Sequence, residues 1–282
     1  MNIHSLDTGL FKLDGGAMFG VVPKSLWNKL NPADDNNMCT WALRCLLIED
    51  AGRLVLVDTG IGNKQDAKFR GHFYLHGDDS LEGSLRKQGF TAADVTDVLL
   101  THLHFDHCGG AVERTADDRL QVAFPNATYW SNQAHWDWAV QPNAREKASF
   151  LKENILPIQE SGQLRFLESG AGVGAALPML RDLVFVNGHT EQMMLPVMEY
   201  KGRTLVFTAD LIPSAGHLPL PYVMSYDVRP LQTLSEKEQL LERAAAENWV
   251  LVFEHDAQVE ACTVTRTDRG IRLAETLRLA DL

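Results

Sequence analysis

Between Thr101 and His107 the chain reads Thr-His-Leu-His-Phe-Asp-His, which sets His102, His104, Asp106 and His107 within six positions. Neutral imidazole nitrogens and carboxylate oxygens are ligands for zinc and neighbouring divalent metals. Where a strand runs into a turn, residues i and i+2 point the same way, so His102 and His104 can reach one ion from one face. The chain then turns, and Asp106 and His107 can face a second ion close by. A lone histidine in a core is usually a hydrogen-bonded packing residue. Three histidines with an aspartate in so short a run point to metal chemistry instead. Cys108 is the one thiol beside the run, so a cysteine-rich structural zinc site is disfavoured, and Cys108 reads as a packed small residue. Gly109-Gly110 then lets the backbone turn tightly into the next element.

One short run cannot enclose two ions, so further ligands must arrive from elsewhere. Short apolar runs that end in polar residues supply the candidates. Leu54–Val57 ends at Asp58, and Val98–Leu100 leads into Thr101 and His102. Leu183–Val186 runs into Asn187-Gly188-His189, Leu205–Thr208 into Ala209-Asp210, and Val250–Phe253 into Glu254-His255. Runs of this length suit buried strands, with a buried helix segment as the alternative for each. Ligands in α/β proteins gather beyond the carboxyl ends of the strands, which is where these residues fall. Taken singly, His189 reads as a turn residue, Asp210 as a helix cap and His255 as a core histidine; together they complete a ligand set.

Helix signals are fewer. Thr91 with Asp94 forms an N-cap pair ahead of Val95 and Val98. Ser235 with Glu238 forms a capping box ahead of Leu240, Leu241 and Ala244, and a further helix is expected between Pro142 and Ile155. The stretch from Gly60 to Ser84 lacks periodicity and holds Phe69, Phe73 and Tyr74. It reads as a functional loop or as a loop covering the core.

Composition sets the outer bounds. The chain has 282 residues, 45% of them hydrophobic and 22% charged, the balance of a soluble globular protein. Neither a repeat nor a low-complexity linker interrupts it, so a single domain over 1–282 is expected. The net charge of −11 is a poor match for a phosphate backbone, which disfavours nucleic-acid binding. No signal peptide is expected at the N-terminus and no apolar run is long enough to cross a bilayer. Cys39, Cys45, Cys108 and Cys262 form no C-x-x-C pair, so reduced thiols in a cytoplasmic protein are expected.

With these residues in view, the sequence resembles the metallo-β-lactamase superfamily. His102, His104, Asp106 and His107 match its H-x-H-x-D-H signature, Val57-Asp58-Thr59-Gly60 resembles its first motif, and His189, Asp210 and His255 follow in order. The resemblance runs from about Trp41 to His255. It implies an αββα sandwich, an α/β arrangement of two mixed sheets with helices outside. It also implies two divalent metal ions, zinc by default: one bound by His102, His104 and His189, the other by Asp106, His107 and His255. Asp210 would bridge them, and Asp58 would orient the histidine loop. A hydroxide bridging such ions would open a lactone or cleave a small ester, with Asp106 passing a proton to the leaving group.

Within the superfamily the run is most similar to acyl-homoserine lactonases and related organophosphate hydrolases, which implies a quorum-quenching role. Gly20-Val21-Val22-Pro23-Lys24, Leu26-Trp27 and Pro32 resemble the same branch. Two positions depart from it. Met193 stands where many members carry a second histidine, and Pro213 stands where lactonases carry a substrate-binding tyrosine, a role left to Tyr222 or Tyr226. Phe69, Phe73 and Tyr74, with Met18 and Phe19, suggest a small, partly apolar substrate, or else they belong to the core. Phosphotriester or phosphodiester hydrolysis is the nearest alternative on such a centre. A non-catalytic metal-binding scaffold and an iron-dependent redox enzyme come next. The expected partners are a small molecule and, by similarity to lactonase-like proteins, a second copy of the chain.

Overall fold

The computed structural model describes residues 1–168 and 172–282. Its first sheet takes its strands in chain order: β1 (Asn2–Asp14), β2 (Met38–Asp50), β3 (Arg53–Val57), β4 (Asp97–Leu99), β5 (Thr128–Ser131) and β6 (Leu164–Phe166). β2 and β3 pair antiparallel, while β3, β4, β5 and β6 run parallel. The second sheet comprises β7 (Leu180–Val186), β8 (Met193–Tyr200), β9 (Arg203–Phe207), β10 (Val250–Val252), β11 (Ala261–Thr267) and β12 (Gly270–Leu277), hydrogen-bonded in that order. Here β9 and β10 are neighbours that run parallel, while the other described neighbour pairs are antiparallel. Both sheets are therefore mixed. All five apolar runs of the sequence form strands, three of them running one residue past the strand end at Leu100, Thr208 and Phe253, because β-branched and leucine side chains fill a buried sheet.

The chain divides into two compact units. The first gathers Met1–Gly9, Leu43–His72 and His76–Met179. Its core packs Leu47, Leu54, Leu56, Val98 and Tyr129 of the sheet against Leu100, Leu103, Cys108, Trp136, Ile155 and Ile158. The helices of this unit include α1 (Phe105–Cys108), α2 (Gln133–Val140) and α3 (Lys152–Glu160). The second unit gathers Leu10–Ala42, Phe73–Leu75 and Leu180–Leu282. Its longest helix, α4 (Pro230–Glu247), is the crossover that a parallel β9–β10 pair requires, and it packs on β11.

Several sequence expectations shift here. The capping box at Ser235 and Glu238 does not start α4; the helix begins at Pro230, whose ring presets the first helical φ. Thr233 and Lys237, polar but buried, extend its inward face past the apolar residues that marked it. The helix expected between Pro142 and Ile155 starts only at Lys152. Ahead of it, Asn143 Oδ1 accepts from the amides of Arg145 and Glu146, and that side-chain turn replaces a helical one. The stretch from Gly60 to Ser84 is not wholly irregular, since Ala67–Phe73 is helical and a helix starts at Leu81. Thr91 and Asp94 do form a capping box, on a single 3-10 turn ahead of β4. All four cysteines are free and buried. Among the described residues no helix is long and apolar enough to cross a membrane.

Candidate metal centre

Strand register brings the candidate ligands into place. His102, His189, Asp210 and His255 each stand three positions beyond a strand end, at Leu99, Val186, Phe207 and Val252. In the second unit the register pairs Phe207 with Val252, so the chain leaves β9 and β10 at one sheet edge with Asp210 and His255 in step. β7 is parallel to β9, since both pair antiparallel with β8, and it delivers His189 to the same edge. In the first unit β3 pairs with β4 through Val57 and Leu99, which sets Asp58 beside Thr101.

The first unit holds His102, His104, Asp106, His107 and Asp58, all buried. Asp58 has a left-handed φ of 57°, which aspartate tolerates better than most residues. From there its Oδ1 accepts from the Thr101 amide at 2.7 Å, and its Oδ2 from Thr101 Oγ1 at 2.6 Å and His107 Nδ1 at 3.2 Å. Thr101 Oγ1, its proton committed to Asp58, accepts from His102 Nδ1 at 3.2 Å. Glu146 Oε1 stands 3.5 Å from His104 Nε2 and is itself held through Oε2 by Trp138 and Asn143. His135 Nε2 accepts from the amide of Leu103, between the two histidines, at 2.9 Å. The outer nitrogens being engaged, His102 presents Nε2 and His104 presents Nδ1, and these lie 3.1 Å apart. Asp106 Oδ2 lies 4.0 Å from His107 Nε2.

The second unit repeats the arrangement. His189 Nδ1 is bound to Asp227 Oδ1 at 2.8 Å, and His255 Nδ1 donates to the carbonyl of Ala42 at 2.8 Å. Their Nε2 atoms each face the Asp210 carboxylate at 3.1 Å, one at Oδ2 and the other at Oδ1. Asp210 thus reaches two histidines with its two oxygens. Burial opposes charge on His189, but the Asp210 and Asp227 carboxylates outweigh it and raise the pKa to about 10. The cluster attracts a cation, whether proton or metal.

The donor set fits a zinc-like ion. Two nitrogen or oxygen ligands on one tetrahedral zinc stand about 3.3 Å apart for bond lengths near 2.0–2.1 Å. The His102–His104, His189–Asp210 and His255–Asp210 pairs all stand at 3.1 Å. The thiol of Cys108 is no rival ligand. Burial pushes its pKa up to about 12, and Sγ donates to the Leu103 carbonyl.

The substrate-side candidates separate. Phe69 is half-buried and edge-on to Phe105, within the histidine run, at 5.3 Å. Phe73 is half-buried at the end of its helix. Tyr222 is half-buried and edge-on to Phe19 at 6.2 Å, whereas Tyr226 is 40% exposed. Met18 and Phe19 are core residues. Pro213, at the position where lactonases carry a tyrosine, accepts the His255 amide through its carbonyl.

Asp227, Glu146, His135 and the fully buried Glu254 were not singled out in the sequence. Glu254 alone carried a signal, as a carboxylate directly after an apolar strand. The other three come from loops or a helix start with no diagnostic spacing.

Residues 44–255 match the profile of the family described as the Metallo-beta-lactamase superfamily. An N-acyl homoserine lactonase from a Bacillus species is 24% identical over 247 residues, covering 84% of this chain and 88% of that protein. One from Bacillus thuringiensis is 24% identical over 262 residues, covering 85% and 90%. Among solved structures, a "probable metal-dependent hydrolase" from Staphylococcus aureus superposes with a TM-score of 0.86 at 29% identity over 98% of both chains. AidC, a dizinc quorum-quenching lactonase in complex with a product, shares the fold at a TM-score of 0.76. It is 21% identical over 98% of this chain and 95% of that one.

Proposed function

The chain belongs to the metallo-β-lactamase superfamily and is a metal-dependent hydrolase, and on that footing we propose that it opens lactones at a dinuclear zinc centre. The family pattern assigns His102, His104 and His189 to one ion, Asp106, His107 and His255 to the other, and Asp210 to both. Asp210 carries the reading further than any other observation. Its two oxygens each meet a histidine Nε2 at 3.1 Å, one from each of the two sets that the family pattern assigns. When bound, the ions supply a nucleophile from water at neutral pH and polarise the substrate carbonyl.

The chain's own residues do the rest. Asp58, Thr101, Glu146, Asp227 and the Ala42 carbonyl hold the imidazoles so that one nitrogen of each is turned to a ligand position. Asp106, buried in the histidine run, would pass the proton released by the attacking water to the departing alkoxide oxygen. Phe69 and Phe105 offer an apolar wall to the acyl part of a small substrate, with Tyr222 and Tyr226 as polar contacts from the loop beyond Asp210. The lactone class rests on the lactonase relatives, which match over more than four-fifths of this chain. The proposal also places the enzyme in a reducing compartment such as the cytoplasm, and as a homodimer.

The test has two arms. Metal content and turnover are measured for wild type, His104→Ala and Asp210→Ala, and the expectation is loss of bound metal with at least a hundredfold loss of turnover. Unchanged metal and activity in both variants would sink the centre. A panel of acyl-homoserine lactones, other lactones, aryl esters and phosphotriesters then tests the substrate. Turnover of phosphoesters alone would end the lactonase reading while leaving the centre standing.

A further inference from the structure

His189 sits in a loop, and a loop does not by itself hold an imidazole to one tautomer. The second unit surrounds it with a brace. Asp227 Oδ1 receives the Nδ1 proton at 2.8 Å and is buried, as is His189. The backbone of the same segment closes on the histidine loop, with the amides of Val228 and Arg229 donating to the carbonyls of His189 and Gly188. Two neighbouring side chains on α4 complete it. Glu236 accepts from the amides of Asn187 and Gly188, both at 2.9 Å. The buried ammonium of Lys237 donates to the carbonyls of Pro219, Leu220 and Tyr222, in the loop that leads to Asp227. Gly188 permits the close approach, since a Cβ there would lie 2.3 Å from the Thr233 amide nitrogen on α4.

We propose that Asp227 is a positioning residue that fixes His189 with its proton on Nδ1 and its lone pair on Nε2. Helix α4 holds both partners in place through Glu236 and Lys237. The inference rests on the reading of His189 as a metal ligand. A carboxylate on the outer nitrogen of a ligating histidine fixes ring orientation and raises ligand basicity, and its loss typically weakens metal binding 10- to 100-fold. The same brace explains why a helix that contributes no ligand carries a half-buried glutamate and a buried lysine, neighbouring anchors aimed at two different loops.

Asp227→Asn keeps the volume but lets an amide N–H face Nδ1, which favours the tautomer with the proton on Nε2. Zinc affinity is read by competition with a chelating indicator, and the His189 proton by 15N-edited NMR of the zinc-loaded protein. Wild type should show a slowly exchanging Nδ1 proton. In Asp227→Asn zinc should bind 10- to 100-fold more weakly and that signal should be lost or move upfield. Asp227→Glu should recover part of the affinity. Glu236→Gln loosens the loop without touching the ring, so it should weaken zinc binding while the Nδ1 signal stays, and it keeps the test open if Asp227→Asn does not fold. Wild-type affinity with an unchanged Nδ1 signal in Asp227→Asn would overturn the proposal. Wild-type zinc affinity in His189→Ala would instead overturn the ligand reading beneath it.

Discussion

At the scale of single residues, each histidine of the two donor sets has one nitrogen engaged and the other turned toward the donor set of its unit. The arrangement suits a ligand, because a neutral imidazole that keeps its proton on one nitrogen has a lone pair on the other. Asp58 bears the most in the first unit, where two oxygens accept from the Thr101 amide, Thr101 Oγ1 and His107 Nδ1 in a site with no solvent. Asp58→Asn is the sharp probe. Asparagine tolerates the left-handed φ of 57° as aspartate does, so the backbone is held constant. Only one amide oxygen remains to accept, and the NH2 group faces a hydroxyl and an imidazole nitrogen. Leaving buried groups unsatisfied costs about 1–3 kcal/mol each, so Asp58→Asn should lose about 2–4 kcal/mol of unfolding free energy. Urea denaturation of the metal-free protein measures it; a loss under about 1 kcal/mol, the low end of that cost, would show that the network is not what holds the histidine run.

At the scale of elements, the strands were legible because burial on both faces leaves continuous apolar runs, and the polar residues ending them were legible as ligands for the same reason. Helix starts were less so. Pro230 opens α4 without a capping side chain, and the buried Thr233 and Lys237 hide its inward face from any hydrophobic pattern. Asp227 and Glu146 lie in loops, where nothing in the spacing separates an anchor from a solvated acid. Gly109 shows a residue noticed for the wrong reason. Its φ is −60°, open to any residue, so no tight turn demands it. What demands it is proximity: a Cβ would fall 2.1 Å from the Ile61 carbonyl oxygen, backbone against backbone. Gly109→Ala must therefore push apart the segments that follow β3 and the histidine run, at about 2 kcal/mol or more. Gly71, in an exposed helix where an added Cβ would meet nothing within 4 Å, is the control, and its alanine variant should be neutral or stabilised by up to about 1 kcal/mol. Equal thermal shifts in the two variants would remove the close-approach argument.

At the scale of the whole molecule, an acidic chain with a net charge of −11 buries Asp58, Asp106, Asp210, Asp227 and Glu254. Divalent ions bound among such groups stabilise the native state by mass action, about 4 kcal/mol at a thousandfold excess over the dissociation constant, so chelation should lower the unfolding midpoint. Acid acts through a separate group. His217 is buried, stacked on Phe19 at 4.4 Å, with Nε2 donating to the Met18 carbonyl and Nδ1 accepting from Ser214 Oγ. Burial pulls its pKa down from 6.5 to about 3. Between those values the unfolded chain binds a proton that the folded chain refuses, so stability falls as pH falls and is fully present only above about 6.5. By about pH 5 the loss from this group alone is about 2 kcal/mol. His217→Gln removes the titration, starts from a lower stability at about pH 7.5, and should decline less steeply toward about pH 5 by that amount. Titrations common to both proteins, His189 among them, cancel in the difference. Urea unfolding of metal-free wild type and variant at the two pH values measures it, and parallel declines would show that His217 does not carry the acid sensitivity.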